Sequence, residues 1–151
     1  MSRRSPLIAS VAALAVSGCG FGPVDVEPFE VDPAAADTCA AVLQDLPEVV
    51  GDAVRRDVEP ESLPAAAWGE PAIVLRCGVN LPAAYEPGAR LLEVDGIGWF
   101  PEPGDGGMFF TSTDREVLVE VAVPDDYAPE GELLHDLAPA IASHIPEREL
   151  R

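Results

Sequence analysis

The stretch that decides the fold is residues 67–79, which read AWGEPAIVLRCGV. Residues 73–75 form a continuous apolar run, as expected of a strand that is buried on both faces. Side chains alternate along a strand, so Arg76 lies on the opposite face from Cys77. We predict that this strand is central and that Cys77 ties it to a helix carrying Cys39.

That helix is predicted from a second pattern, upstream of the strand. Asp32 is a suitable N-cap and Pro33 suits the first helical position, while Pro47 ends the segment. Apolar side chains recur between them at helical spacing and form one stripe, which consists of Ala36, Cys39, Ala40, Leu43 and Leu46. Cys39 is therefore expected to face the core, where Cys77 lies.

The chain has three cysteines, an odd number for an exported protein. If Cys19 carries another group, Cys39 and Cys77 remain as a pair, and outside the cytoplasm such a pair is expected to form a disulfide. The loop that it closes would stabilise the fold by about 4 kcal/mol on the chain-entropy model. The alternatives are two buried free thiols or a zinc site, for which two cysteines without matching ligands are a poor set.

The N-terminus has the order of parts of a bacterial lipoprotein signal. Arg3 and Arg4 form a positive region, and an apolar stretch from Leu7 to Val16 follows, too short to span a bilayer, which needs about 20 apolar residues. It ends in VSGC, residues 16–19, which looks like a lipobox whose Cys19 thiol takes the diacylglycerol. We predict a lipoprotein signal peptide over residues 1–18. The alternative is an ordinary signal peptide that is followed by a cysteine by chance.

The sequence indicates the route of export less clearly than the lipid anchor. The paired arginines resemble a twin-arginine signal, but Pro6 and Ile8 stand where that signal has a large apolar residue and a lysine. We favour the general secretory route. By either route, the protein is expected to be lipid-anchored at the extracytoplasmic face of the cell membrane.

Residues 19–32 are predicted to be the lipidated cysteine and a disordered acidic tether, because prolines, glycines and alternating acids cannot bury enough apolar surface to fold. Residues 33–151 are then a single domain with one disulfide. The formal net charge of the chain is −18 and every basic side chain is an arginine. This charge excludes nucleic acid as a partner and disfavours docking on anionic lipid headgroups. A simpler interpretation is that the acidic surface keeps the domain soluble and implies no partner.

The remaining elements are predicted to be two hairpins and a second helix. Asp95-Gly96 between apolar flanks predicts one hairpin, and alternating valines over residues 117–123 belong to the second. Pro139 lies within a later apolar helical stripe and should kink or split that helix. Together these elements predict an α+β domain, with an antiparallel sheet of about five strands and an N-terminal and a C-terminal helix packed on one face.

No set of residues predicts catalysis, a metal site or a cofactor. His135 and His144 lie on opposite sides of one predicted helix and cannot bind one metal together. The speculative ligand or surface residues are Trp68, Glu70, Arg76 and Trp99. Arg76 is most simply an internal ion-pair partner, although an arginine beside an aromatic ring could also form a recessed anion site. Trp99 could belong to an exposed aromatic patch, but core packing is the more usual role.

Several short motifs together resemble a known family. They comprise the lipobox, DTC at residues 37–39, AWGEP at 67–71, LRCG at 75–78, EVDG at 93–96 with Trp99, and EVAVP at 120–124. In this order they are similar to the actinobacterial DUF3515 proteins, small lipoproteins of unknown function. The resemblance supports the predicted location at the cell membrane and the predicted fold, and it implies no catalytic residues.

The function expected from the sequence is that of a non-enzymatic envelope lipoprotein. It would be held to the membrane through lipid on Cys19 and would bind an unknown envelope protein or cell-wall component. Two alternatives remain open: an enzyme that acts on cell-wall material with a carboxylate pair, and a lipoprotein that binds a small ligand or cation.

Overall fold

The structure is a computed structural model and describes residues 21–148. The predicted signal peptide and Cys19 lie outside these residues. The described chain contains two α-helices and ten strands: β1 (Val24–Asp25), α1 (Ala36–Asp45), β2 (Val49–Val50), β3 (Ala53–Arg56), β4 (Val58–Glu59), β5 (Ala65–Trp68), β6 (Ile73–Val79), β7 (Leu92–Val94), β8 (Ile97–Gly104), β9 (Gly107–Ser112), β10 (Leu118–Pro124) and α2 (Leu134–His144).

Eight of the strands form one antiparallel sheet in the order β2-β3-β5-β6-β10-β9-β8-β7. The α+β class is therefore confirmed, but the expected number of about five strands is wrong. Strand β2 was missed because it has only two residues. Strand β8 was predicted as an arm of the Asp95-Gly96 hairpin, but it is longer than expected because it runs on through Pro101 and Pro103. Since β7 pairs with β8 only as far as Trp99, those prolines lie where β8 is an edge strand, which tolerates proline.

The predicted central strand is β6, which lies between β5 and β10. Its inward side chains Ile73, Leu75 and Cys77 are fully buried. The predicted disulfide is present, joining Cys77 to Cys39 on α1. Residues 67–79 therefore comprise the end of β5, the turn that joins β5 to β6, and β6 itself.

The first helix follows its predicted cap, and its predicted apolar stripe is confirmed at Cys39 and Leu46 but not at the two alanines. Asp32 accepts a hydrogen bond from the backbone of Ala34 at 2.9 Å, and a short 3-10 turn, Pro33–Ala35, precedes α1. Cys39 and Val42 are the buried residues of α1, whereas the predicted core positions Ala36 and Ala40 are exposed.

The second helix is not split at Pro139, which lies exposed within α2. Leu134, Leu137 and Ile141 are fully buried and belong to the same hydrophobic cluster as Trp68, Cys39 and the inward side chains of the sheet. The two helices therefore contribute to one core. No helix within residues 21–148 is long and apolar enough to cross a membrane.

The predicted disordered tether needs correction over β1. Val24 and Val26 donate backbone hydrogen bonds to Asp57 and Glu59, each at 2.8 Å, and β1 pairs in parallel with β4. Val26 is buried while its acidic neighbours stay exposed. The alternation of valine and acid in this segment is a strand pattern, and β4 supplies the partner that lets it form.

Candidate functional site

The four site residues suggested by the sequence do not come together. Trp68 is fully buried in the core, where its indole Nε1 donates to the carbonyl oxygen of Pro47 at 2.9 Å. Trp99 is also fully buried, which agrees with the core-packing interpretation and not with the alternative of an exposed aromatic patch. Trp99 points inward because Ile97 and Trp99 share the buried face of β8, while Phe100 lies on the other face against the ring of Tyr85.

Arg76 lies on the face of the sheet opposite Cys77, as its position in β6 predicts. Its Nη1 lies 3.1 Å from a carboxylate oxygen of Glu120, the residue directly across on β10, and both side chains are about three-quarters buried. The Phe29 ring lies 5.6 Å from the guanidinium carbon. The charge of Arg76 is therefore already balanced within the domain, which agrees with the ion-pair interpretation of this residue.

Glu70 belongs instead to a groove that the sequence did not predict, here called the Arg56 groove, with a volume of ≈ 610 Å³. Its walls come from strand β3, the β5–β6 turn, the turn after β10 and the start of the described chain. The lining residues are Phe21, Asp52, Ala53, Val54, Arg55, Arg56, Asp57, Gly69, Glu70 and Tyr127.

Arg56 connects the walls of this groove. Its Nη1 donates to the carbonyl oxygen of Gly69 at 2.7 Å and pairs with the Glu70 carboxylate at 2.5 Å. Its Nη2 donates to the carbonyl oxygen of Gly22 at 2.6 Å, and its guanidinium stacks on the Phe21 ring at 5.3 Å. Among the described residues, no acceptor lies within hydrogen-bonding distance of its buried Nε. The groove thus contains an arginine whose three hydrogen bonds join its walls.

The neighbouring Arg55 points to the other face of β3 and has a structural role. It donates to the carbonyl oxygens of Leu43 and Leu46 at 3.0 and 3.1 Å, and its guanidinium carbon lies 5.7 Å from the Trp68 ring. These carbonyls are at the end of α1, where the last turn of a helix lacks donors and carries partial negative charge. Arg55 therefore caps α1.

Tyr127 closes one end of the groove by donating from its hydroxyl to the carbonyl oxygen of Pro71 at 2.8 Å. Burial raises the pKa of Tyr127, and the nearby Asp52 carboxylate raises it further, so the hydroxyl keeps its proton. A side chain on Gly69 would meet this hydroxyl, and Gly69 has φ +71°, so only glycine suits this position without strain. Tyr127 therefore acts as a hydrogen-bond donor that orders the wall.

The two histidines lie apart, as predicted, and each contacts a different element. The Nδ1 atom of His135 lies 2.8 Å from Asp95 in the β7–β8 turn, and the Nε2 atom of His144 lies 2.9 Å from Asp45 at the end of α1. The hydrogen bond to Asp95 raises the pKa of His135. Across residues 21–148, no group of three or more possible ligands is placed to hold a metal ion.

A family model described as "Protein of unknown function (DUF3515)" matches residues 6–150. The chain belongs to the DUF3515 family. No curated protein and no solved structure matches it. The match covers every element of this DUF3515 domain, including all the residues of the Arg56 groove, but its description assigns no activity to any of them.

The sequence did not reveal the Arg56 groove because its parts are far apart along the chain. The sequence places Phe21 in the tether, Arg56 at the end of a short strand and Tyr127 in an acidic loop, and it gives no reason to join them. One signal was present: Arg55-Arg56 is an adjacent basic pair in a very acidic chain, next to a short apolar stretch. On a strand, such a pair places one guanidinium on each face of the sheet.

Proposed function

We propose that this DUF3515 protein is an envelope lipoprotein, anchored by lipid on Cys19 at the extracytoplasmic face of the cell membrane. The observation that carries the proposal is the bond between Cys39 and Cys77. A structural disulfide belongs in an oxidising compartment, and its formation leaves Cys19 as the remaining thiol for the lipid. The lipobox pattern and the apolar segment before it support the same address.

Within this proposal, the domain is a non-catalytic binding or accessory module for a protein or cell-wall partner. Small-molecule pockets are usually enclosed and mostly apolar, whereas the Arg56 groove opens to solvent and mixes apolar side chains with several acids. The acids Asp52 and Asp57 would favour a partner that presents basic or hydrogen-bonding groups.

The two alternatives from the sequence have weaker support. A carboxylate pair for catalysis would need two acids free to exchange protons, but Glu70 and Glu120 each pair with an arginine. A bound cation would need several oxygen ligands directed at one point. We also propose that both helices cover one face of the sheet, because α1 is bonded to β6 and α2 shares its core cluster.

The lipid anchor is tested by replacing Cys19 with alanine. We expect Cys19→Ala to leave the membrane fraction and to lose the mass of the diacylglycerol group. A Cys39→Ala/Cys77→Ala double variant is the matched control, and it should keep the lipid. If Cys19→Ala stayed in the membrane fraction and its mass differed from that of the native chain only by the substitution, the proposed anchor would be wrong.

The binding role is tested with a photo-crosslinking amino acid in intact cells. Placed at Asp57, an exposed residue on the rim of the Arg56 groove, it should give a discrete covalent adduct with an envelope component. Placed at Glu93, an equally exposed acid on β7, it should give none. The same adduct from both positions, or from neither, would count against the groove as the binding surface.

A further inference from the structure

The chain that follows Cys19 is fixed to the domain from its first described residues. Arg56 holds both Gly22, through its carbonyl oxygen, and Phe21, through stacking. The backbone of Val24 then donates to Asp57 at 2.8 Å, and Val26 is buried. From Phe21 onward, the chain therefore has no free length that could hold the domain away from its attachment point.

The distance between that attachment point and the domain is short. Phe21 follows Cys19 by two positions, which a fully extended chain covers in about 7 Å. The headgroup region on each side of a bilayer is about 5–8 Å thick. A lipid on Cys19 would therefore place Phe21 and the strands that hold it at the level of the headgroups.

Three exposed apolar side chains lie at this end of the domain, beside the acids of the Arg56 groove. Phe21 is 70% exposed, Val54 is 62% exposed and Val49 is 46% exposed. Val49 and Val54 are direct partners across the β2–β3 hairpin, while Phe21 and Val54 line the same groove. Exposed aromatic and aliphatic side chains of this kind bind at the boundary between headgroups and acyl chains. We call Phe21, Val49 and Val54 the membrane-proximal surface.

We propose that the domain lies directly on the bilayer and that the membrane-proximal surface contacts its headgroup–acyl boundary. This inference rests on the proposed lipid anchor at Cys19. The contact is apolar rather than electrostatic, since Arg56 is paired with Glu70 and the domain is strongly acidic. The Arg56 groove then opens at the membrane surface, so that its partner must be one that reaches that surface.

The experiment uses the complete lipidated chain, reconstituted in phosphatidylcholine vesicles that carry bromine on their acyl chains close to the headgroups. A tryptophan is introduced by Val54→Trp, or by Leu81→Trp as the matched control. Leu81 is 39% exposed and follows the far end of β6, whereas Val54 is hydrogen-bonded to Gly69 in the turn that precedes β6. The native Trp68 and Trp99 are fully buried and give the same background in both variants.

Bromine should quench about half of the emission added by Val54→Trp, because interfacial side chains lie roughly 5–10 Å deep. It should quench little of that added by Leu81→Trp, because the length of β6 separates Leu81 from the groove by about 20 Å. Val54 is distant from Cys19 in sequence, so its quenching reports the position of the folded domain. If protein that floats with the vesicles showed equal quenching at both positions, or none at either, the docked orientation would be overturned. A chain that does not float with the vesicles would instead refute the lipid anchor itself.

Discussion

Replacing Cys39 and Cys77 together by alanine is expected to lower the free energy of unfolding by about 4 kcal/mol. The two residues are 38 positions apart, so their bond removes much of the conformational freedom of the unfolded chain. It joins α1 to the central strand β6, and both sulfur atoms lie in fully buried residues. For a domain of this size the loss corresponds to a melting temperature lower by about 15 °C, which thermal unfolding followed by circular dichroism would measure.

A reducing agent provides the matched control for this variant. Reduction should lower the melting temperature of the native chain to about that of the Cys39→Ala/Cys77→Ala variant. It should leave the melting temperature of the variant unchanged. The small size of the buried side chains means that cavity formation adds little to the effect. A double variant that melts within a degree or two of the unmodified protein would contradict the stabilising role of the bond.

The central strand and its neighbours could be predicted because their patterns are local. The apolar run before Cys77 needs no knowledge of its partners, and the Asp95-Gly96 hairpin follows from backbone preferences alone. Both residues have positive φ, 49° for Asp95 and 77° for Gly96, as the tight turn between β7 and β8 requires. Local chemistry therefore decided these elements before any tertiary contact was known.

The short strands could not be predicted, because their stability depends on a partner elsewhere in the chain. Val24 and Asp25 form β1 only because β4, more than thirty residues later, offers a parallel edge. The same two residues without that edge have the composition of a flexible acidic segment. A strand of two residues carries too little periodicity to be recognised, whereas its hydrogen bonds in the fold are fully formed.

The Arg56 groove was unpredictable for a related reason, since strand register decides which arginine Glu70 meets. Arg56 lies across from Ala67 in the β3–β5 pair, near the turn that carries Glu70. Arg76 lies across from Ala65, at the far end of β5, and meets Glu120 instead. Both arginines are close to Glu70 in the sequence, so only the register separates a groove residue from an internal ion pair.

Replacing Trp68 by alanine is expected to destabilise the domain by about 3–5 kcal/mol, the usual cost of removing a large buried aromatic side chain. Trp68, the last residue of β5, packs in the core. Its ring lies against the guanidinium of Arg55, and its indole nitrogen donates to the carbonyl oxygen of Pro47. Its loss would leave a cavity and would leave the partly buried Pro47 carbonyl, just after α1, without this donor. Urea denaturation, with the midpoint and slope both fitted, would measure the change.

Trp68→Phe and Trp99→Phe form a matched pair that separates the hydrogen bond from the volume. Both tryptophans are fully buried, but among the described residues only Trp68 has an acceptor for its indole nitrogen. Trp68→Phe should therefore cost about 1 kcal/mol more than Trp99→Phe, because it leaves the Pro47 carbonyl without a donor. Equal losses, or a larger loss for Trp99→Phe, would show that the Pro47 contact contributes nothing. A clearly larger loss of stability for Trp68→Phe would show that the hydrogen bond from Trp68 to Pro47 helps to attach α1 to the sheet.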